Sequence, residues 1–156
     1  SRIRRVANPV WFNASSAGFL RRMALSLDGN QMASYAYDST GRLSGMNVGT
    51  SKIAYSRVAN SDLLAGITRS NSVNTAYSYE ANRNLVTQVA HGSGIAAYGY
   101  INDAIARRTA MLRAGSAFTS ADTLNYGYNA RSELTSAAST VDTAYNYAYN
   151  FDKIGN

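Results

Sequence analysis

Residues 35–43 read Tyr35-Ala36-Tyr37-Asp38-Ser39-Thr40-Gly41-Arg42-Leu43. In a strand, residues i and i+2 lie on one face, so Tyr35 and Tyr37 form a two-ring stripe. Asp38 stands where a turn opens, with a side chain that accepts from backbone N–H groups just ahead of it. Gly41, three residues later, permits a positive φ. Leu43 then starts a return strand. The stretch predicts a β-hairpin.

The unit recurs along the chain. It reads Tyr77-Ser78-Tyr79-Glu80-Ala81-Asn82-Arg83-Asn84-Leu85, then Tyr126-Gly127-Tyr128-Asn129-Ala130-Arg131-Ser132-Glu133-Leu134. The last copy is Tyr149-Asn150-Phe151-Asp152-Lys153-Ile154-Gly155-Asn156. A Leu follows the second Tyr by six residues in three copies, as Leu43, Leu85 and Leu134. Tyr98 and Tyr100 supply another pair, and Ile53 with Tyr55 a sixth. The pairs begin at 35, 53, 77, 98, 126 and 149, at intervals from 18 (35 to 53) to 28 (98 to 126). That spacing fits two strands and two turns per copy. Two copies read as carrying two extra loop residues: Tyr55 to Leu63, and Tyr100 through Asp103 and Ala106 to Arg108. The Gly41 position is taken by Arg83, Ala106 and Ser132. Those turns are expected to be looser, or to place Asn82 and Asn129 at the unusual dihedrals.

Helix competes over Ile101 to Leu112, where Ala, Met, Leu and Arg favour it. The repeat register puts Asp103 to Arg107 on a turn, and the register is preferred. Leu25, Leu27 and an Asp28-Gly29 turn suggest a further hairpin leading into Ser34 to Tyr37. Residues 1–34 form a divergent N-terminal hairpin region, and 35–156 hold six degenerate repeats. The chain stops inside the last turn and lacks an initiator Met, so a piece of something longer is expected.

Composition narrows the function. The 156 residues are enough for one domain with a real core. Only 15% are charged, below the roughly 25% of an ordinary globular protein. No apolar run is long enough for a membrane-spanning helix. With no cysteine, disulfides and thiol chemistry are excluded. The net charge of +6 is almost all arginine, with Lys52 and Lys153 the only lysines. No block of five like charges occurs, so the arginines are expected to solvate turns and pair with nearby Asp.

The motifs Tyr35-x-Tyr37-Asp38-x-x-Gly41-Arg42-Leu43 and Phe151-Asp152-x-x-Gly155-Asn156 resemble the YD repeat. That repeat is the unit of Rhs proteins, Tc toxin C subunits, bacterial wall-associated proteins and animal teneurins. The resemblance covers about residues 33–156. It implies an all-β strip of successive antiparallel hairpins that curves and spirals into a hollow shell. In Rhs and Tc-like proteins such a shell encloses a C-terminal toxin; in teneurin-like proteins it serves adhesion. A secreted or cell-surface location in a bacterium follows from the resemblance. The implied partners are neighbouring repeats of the same polypeptide. The family's closing plug with its autoproteolytic site has no counterpart here, so an internal section of wall is expected.

No catalytic constellation, cofactor site or metal site is expected. The single imidazole, His91, lies in Ala90-His91-Gly92-Ser93-Gly94, which reads as a turn between strands. The acids Asp38, Glu80, Asp103 and Asp152 stand at the repeated turn position, where capping is their ordinary role. Gly92-Ser93-Gly94 lacks the Lys of a phosphate loop. Tyrosine stripes with arginine are a platform for sugars or bases. Their regular recurrence favours cross-strand packing instead, so nucleic acid is not an expected partner. An acidic glycan and self-association through open sheet edges are the alternatives carried forward. Trp11 reads as a buried anchor, or else as a ligand contact.

Overall fold

The computed structural model describes residues 13–14, 20–27 and 30–155. Trp11, the Asp28-Gly29 turn and the N-terminal arginines lie outside the described residues. The chain divides into two compact units, residues 1–73 and 74–156.

The first unit opens with β1 (Asn13–Ala14) paired to β2 (Leu20–Arg21). A meander follows: β3 (Ala24–Leu27), β4 (Asn30–Tyr37), β5 (Leu43–Val48), β6 (Ser51–Arg57) and β7 (Leu64–Arg69). Each of these strands pairs antiparallel with its neighbour in sequence. The second unit repeats the plan with β8 (Thr75–Tyr79), β9 (Val86–His91), β10 (Ala96–Asn102), β11 (Arg108–Ala114), β12 (Asp122–Tyr128), β13 (Leu134–Ser139) and β14 (Tyr147–Ala148). Its pairings are antiparallel and sequential as well. One turn of 3-10 helix, Thr143–Tyr145, precedes β14. The all-β class expected from the repeats is the observed one. Residues 103–107 form a turn and 108–114 a strand, so the register prevails over helix propensity.

The register sorts side chains onto two unlike faces. In the first unit Tyr35, Met46 and Ile53 stand opposite one another across three strands, and Tyr55 stands opposite Ile67. The reverse face carries Ala36, Gly45 and Ala54. In the second unit one row reads Tyr77, Val89, Tyr98, Arg113, Asp122. Its reverse-face neighbour reads Ala76, Ala90, Ala97, Ala114. A period of two therefore puts these tyrosines on one face, while the reverse face carries mostly small residues, with Lys52, Gln88, Ile101 and Leu112 among them.

The expected core of large side chains is not found among the described residues. The buried residues there are Ala33, Ala110, Ala137, Thr75 and Asp122, and no large side chain is fully buried. The meander β3–β7 and the sheet β8–β14 are each one layer, and the tyrosines from Tyr35 to Tyr128 are half covered. Cross-strand neighbours at about 0.2–1 kcal/mol per pair, and the backbone ladder, carry the stability that a second layer would otherwise supply.

Candidate functional site

The repeated feature with the most chemistry is the turn that follows each tyrosine pair. In the first copy the Asp38 N–H donates to the Arg42 carbonyl at 2.8 Å, and the Gly41 N–H to the Asp38 carbonyl at 2.9 Å. Gly41 has φ +86°. A turn closed in this way, with a left-handed residue making a bulge, is a common hairpin loop. Asp103–Arg107 and Asn129–Glu133 repeat both bonds. The Gly155 N–H also donates to the Asp152 carbonyl, at 3.2 Å, with Gly155 at φ +88°. Where glycine is missing, Ala106 (φ +69°) and Ser132 (φ +63°) adopt the left-handed conformation themselves. The expectation that Asn82 and Asn129 would do so is corrected. Asn129 occupies the acceptor position instead.

The turn acids act as caps. Asp38 Oδ1 accepts from the Thr40 and Arg42 N–H groups at 3.0 and 2.9 Å. Asp103 Oδ1 does the same for Ile105 and Arg107, and Asn129 Oδ1 for Arg131 and Glu133. Asp152 Oδ1 accepts from the Ile154 N–H at 2.9 Å. Chiefly through the Arg42 N–H, the Asp38 carboxyl is held well below the ordinary carboxylate range. Burial alone would raise Asp103, but the Arg107 side chain and N–H outweigh it and lower it. Glu80 departs from the pattern: its carboxylate accepts from Asn102 at 3.0 Å and pairs with Arg83 at 2.6 Å, and the Asn102 bond leads in lowering it.

Two register readings change. The copy at Tyr98/Tyr100 has a loop of ordinary length; its two additional residues lie in β10, so Tyr100 and Asn102 occupy the Tyr35 and Tyr37 positions. Likewise Tyr55 and Arg57 take those positions in β6. The loops that are longer, by one residue each, are 58–63 and 80–85, closed by Val58 N–H to the Leu63 carbonyl and Glu80 N–H to the Leu85 carbonyl. Leu85 thus closes a turn and Val86 starts β9, whereas Leu43 and Leu134 start strands as expected. A slip of two residues keeps every side chain on its face, so the tyrosine pattern alone could not detect it.

What the sequence reading missed is that these arginines also bond the adjacent turn. Arg42 pairs with Asp38 in its own turn at 2.7 Å, and its Nη1 reaches Asp62 at 2.5 Å and the Ser61 carbonyl at 3.1 Å. Arg83 Nη1 donates to the Asp103 carbonyl at 2.8 Å. Arg107 pairs with Asp103 at 2.7 Å and donates to Ser132 Oγ at 3.2 Å. Arg131 donates to the carbonyls of Asp152 and Lys153 at 2.9 and 3.0 Å. The signal was present: an arginine two to four residues after the turn acceptor in four copies.

Tyrosines bind backward. The Tyr37 hydroxyl donates to the Arg22 carbonyl at 2.9 Å, and Tyr128 to the Arg108 carbonyl at 2.7 Å. Cross-strand aromatic packing between adjacent hairpins was expected; at Tyr37, Tyr100 and Tyr128 the ring meets a guanidinium group. Arg108 lies 3.7 Å from the Tyr100 ring centre, Arg107 4.7 Å from Tyr128, and Arg21 5.5 Å from Tyr37. Tyr77 opposes Val89, Tyr79 opposes Val86, and Tyr126 opposes Ala137. Ring-on-ring contact does occur for Tyr98 with His91 and Phe118, and for Tyr147 with Tyr149. Phe151 stands beyond Tyr149, partly exposed. The His91 ring shares a hydrogen bond with the Thr75 hydroxyl at 3.1 Å, at the strand end before the Gly92 turn.

No family model matches the chain, and no curated protein matches it. Solved structures do. A crystal structure of TcdB2-TccC3-TEV is 18% identical, with TM-score 0.64 over 89% of this chain and 8% of that one. A Photorhabdus luminescens Tc holotoxin pore is also 18% identical, with TM-score 0.65 and the same coverage. A crystal structure of TcdB2-TccC3 is 19% identical, with TM-score 0.63 over 86% of this chain and 8% of that one. The chain spans about 8% of the length of the solved chains it matches, and it has the fold of that segment.

Proposed function

We propose that this chain is a section of wall in a YD-repeat shell, part of a large secreted or surface protein of a bacterium, with a containing role and no catalytic one. The observation that carries the reading is the forward reach of Arg42, Arg83, Arg107 and Arg131, each to the adjacent turn. Bonds between neighbouring units are the interactions from which repeat proteins draw stability beyond that of each unit. Containment needs a continuous sheet whose backbone groups are paired and whose turns do not splay apart. Within each unit sequential hairpins supply the first, and the arginines supply the second. The shared fold with segments of Tc toxin chains supports the same role. The contents of the shell are a C-terminal cargo in this reading.

The test is the native polypeptide. An antibody raised to this segment is used to blot cell-associated and secreted fractions, and the captured protein is imaged by electron microscopy. The expected result is a band several times larger than 16.8 kDa and a hollow particle. A native polypeptide near 16.8 kDa would overturn the reading.

A further inference from the structure

β10 and β14 carry the same ring pattern ahead of the same turn acid. In β10, Tyr98 and Tyr100 stand five and three residues before Asp103. Tyr147 and Tyr149 stand five and three residues before Asp152. The other copies keep the ring three residues before the turn opens, but the position five before holds Ala33, Ile53, Thr75 or Leu124. β14 is thus the counterpart of β10.

The two strands differ in what lies beside them. β10 is flanked by β11, which brings arginine to both ring positions. Arg108 lies 3.7 Å from the centre of the Tyr100 ring, and Arg113 stands directly opposite Tyr98. Thr109 is the bulged residue that sets Arg108, five residues before Arg113, against the tyrosine face. His91 and Phe118 enclose Tyr98 further, edge-on at 6.3 and 5.7 Å. β14 ends its sheet among the described residues. There Tyr147 stacks on Tyr149 at 6.4 Å with planes 19° apart, and both rings stay well exposed.

We infer that the β14 edge is a docking site for an arginine-bearing strand of the β11 kind. The occupant is extended, because the outer N–H and C=O groups of an edge are matched by a further ladder. It carries two arginines placed as Arg108 and Arg113 are, which bring guanidinium groups to Tyr149 and Tyr147. A guanidinium lies flat on a ring face in a way that an ammonium does not. The chain's net charge of +6 opposes a cationic partner, so the rings and not the overall charge select it. The inference rests on the wall reading for its source, the return strand of the repeat that follows. It adds what that strand must carry.

The test uses the full chain at about 10 μM and a synthetic peptide of the β11 sequence, Arg108–Ala114, as the stand-in strand. Hydrogen exchange at residues 147–151 is followed as peptide is added. Exchange is expected to slow, with saturation below about 1 mM. The same peptide with Arg108→Gln and Arg113→Gln keeps the backbone and loses both guanidinium groups, and is expected to bind about tenfold more weakly. In the chain, Tyr147→Ala and Tyr149→Ala are each expected to weaken the parent peptide severalfold with the β-sheet circular dichroism unchanged. The inference is overturned if the parent peptide leaves exchange at 147–151 unchanged at about 1 mM, if the glutamine peptide binds equally well, or if both tyrosine variants bind as the parent chain does. A native polypeptide that continues past residue 156 with no arginine five or ten residues after Asp152 overturns it as well, and leaves the wall reading standing. A native polypeptide near 16.8 kDa removes the wall reading instead, and the peptide arms then decide the edge's preference alone.

Discussion

The Arg107 guanidinium lies 4.7 Å from the centre of the Tyr128 ring, in the hairpin that follows its own. The same side chain bonds Asp103 within its turn and Ser132 in the next. One residue thus shapes a loop, covers a ring and ties two repeats. Lysine keeps the charge but lacks the planar fork that makes these bonds together. Arg107→Lys is expected to lower stability by about 1–2 kcal/mol, from a ring contact of about 0.5–1 and a hydrogen bond of similar size. Hydrogen exchange should speed up at 129–133 and stay unchanged at 38–42. Equal acceleration at both turns would show that the effect is global and not a neighbour bond.

The left-handed turn position gives a second prediction, with a gain in stability. Ala106 and Ser132 hold φ values of +69° and +63° where the first and last copies use glycine. A residue with a Cβ is strained there by roughly 1–2 kcal/mol, part of which glycine returns as greater freedom when unfolded. Ala106→Gly is expected to stabilise by about 0.5–1 kcal/mol, with a higher urea midpoint and unchanged slope. Ser132→Gly relieves the same strain but removes the hydroxyl that accepts from Arg107, so its midpoint is expected to change little. A fall in the Ala106→Gly midpoint sinks the strain account.

These turns also show what was legible in the sequence. Asp38 with Gly41 and Asp152 with Gly155 could be read directly, because chain geometry leaves few residue types able to fill both positions. The face of each tyrosine was legible too, since strand alternation fixes it. The register at Tyr100 and Tyr55 was not, because a slip of two is invisible to that alternation. A cavity of about 500 Å³ between loops 115–121 and 140–146 was not legible either. Phe118, Ser120, Asp142 and Tyr145 lie in loops outside the repeat, and Arg113 meets Asp122 only through pairing of β11 with β12.

Acid sensitivity follows from the turn carboxylates. Asp38, Glu80, Asp103 and Asp122 are all lowered from ordinary values of 3.8 for Asp and 4.5 for Glu. For Asp122 burial acts upward, and the Ser139 and Thr140 bonds with the Arg113 charge overcome it. Between the lowered and ordinary values the unfolded chain binds more protons than the folded one, so stability rises with pH there. The contribution is complete above the ordinary values and is lost as pH falls below them. The melting temperature should be level from about pH 7 to about pH 5.5 and fall steeply below about pH 4. Asp122→Asn should flatten that fall, at a lower starting stability. A parent chain equally stable at about pH 3 and about pH 6 would rule out these four groups as the source.

The edge of the second unit gives the last prediction. β14 is a two-residue strand at the end of its sheet, and its Tyr147 stacks on Tyr149 at 6.4 Å, the two 49% and 41% exposed. An edge with unpaired backbone groups and exposed rings accepts another strand, and a charge placed on it discourages this. In a shell the next hairpin would take that place; in a solution of the chain alone, a second copy is the available strand. Light scattering between about 10 and about 500 μM should show the mass climbing above 16.8 kDa with concentration. Tyr147→Lys should shift that climb to severalfold higher concentration without altering the β-sheet circular dichroism. A mass fixed at 16.8 kDa throughout, with a sharp two-state melt, would mean that the edge is already satisfied within one chain.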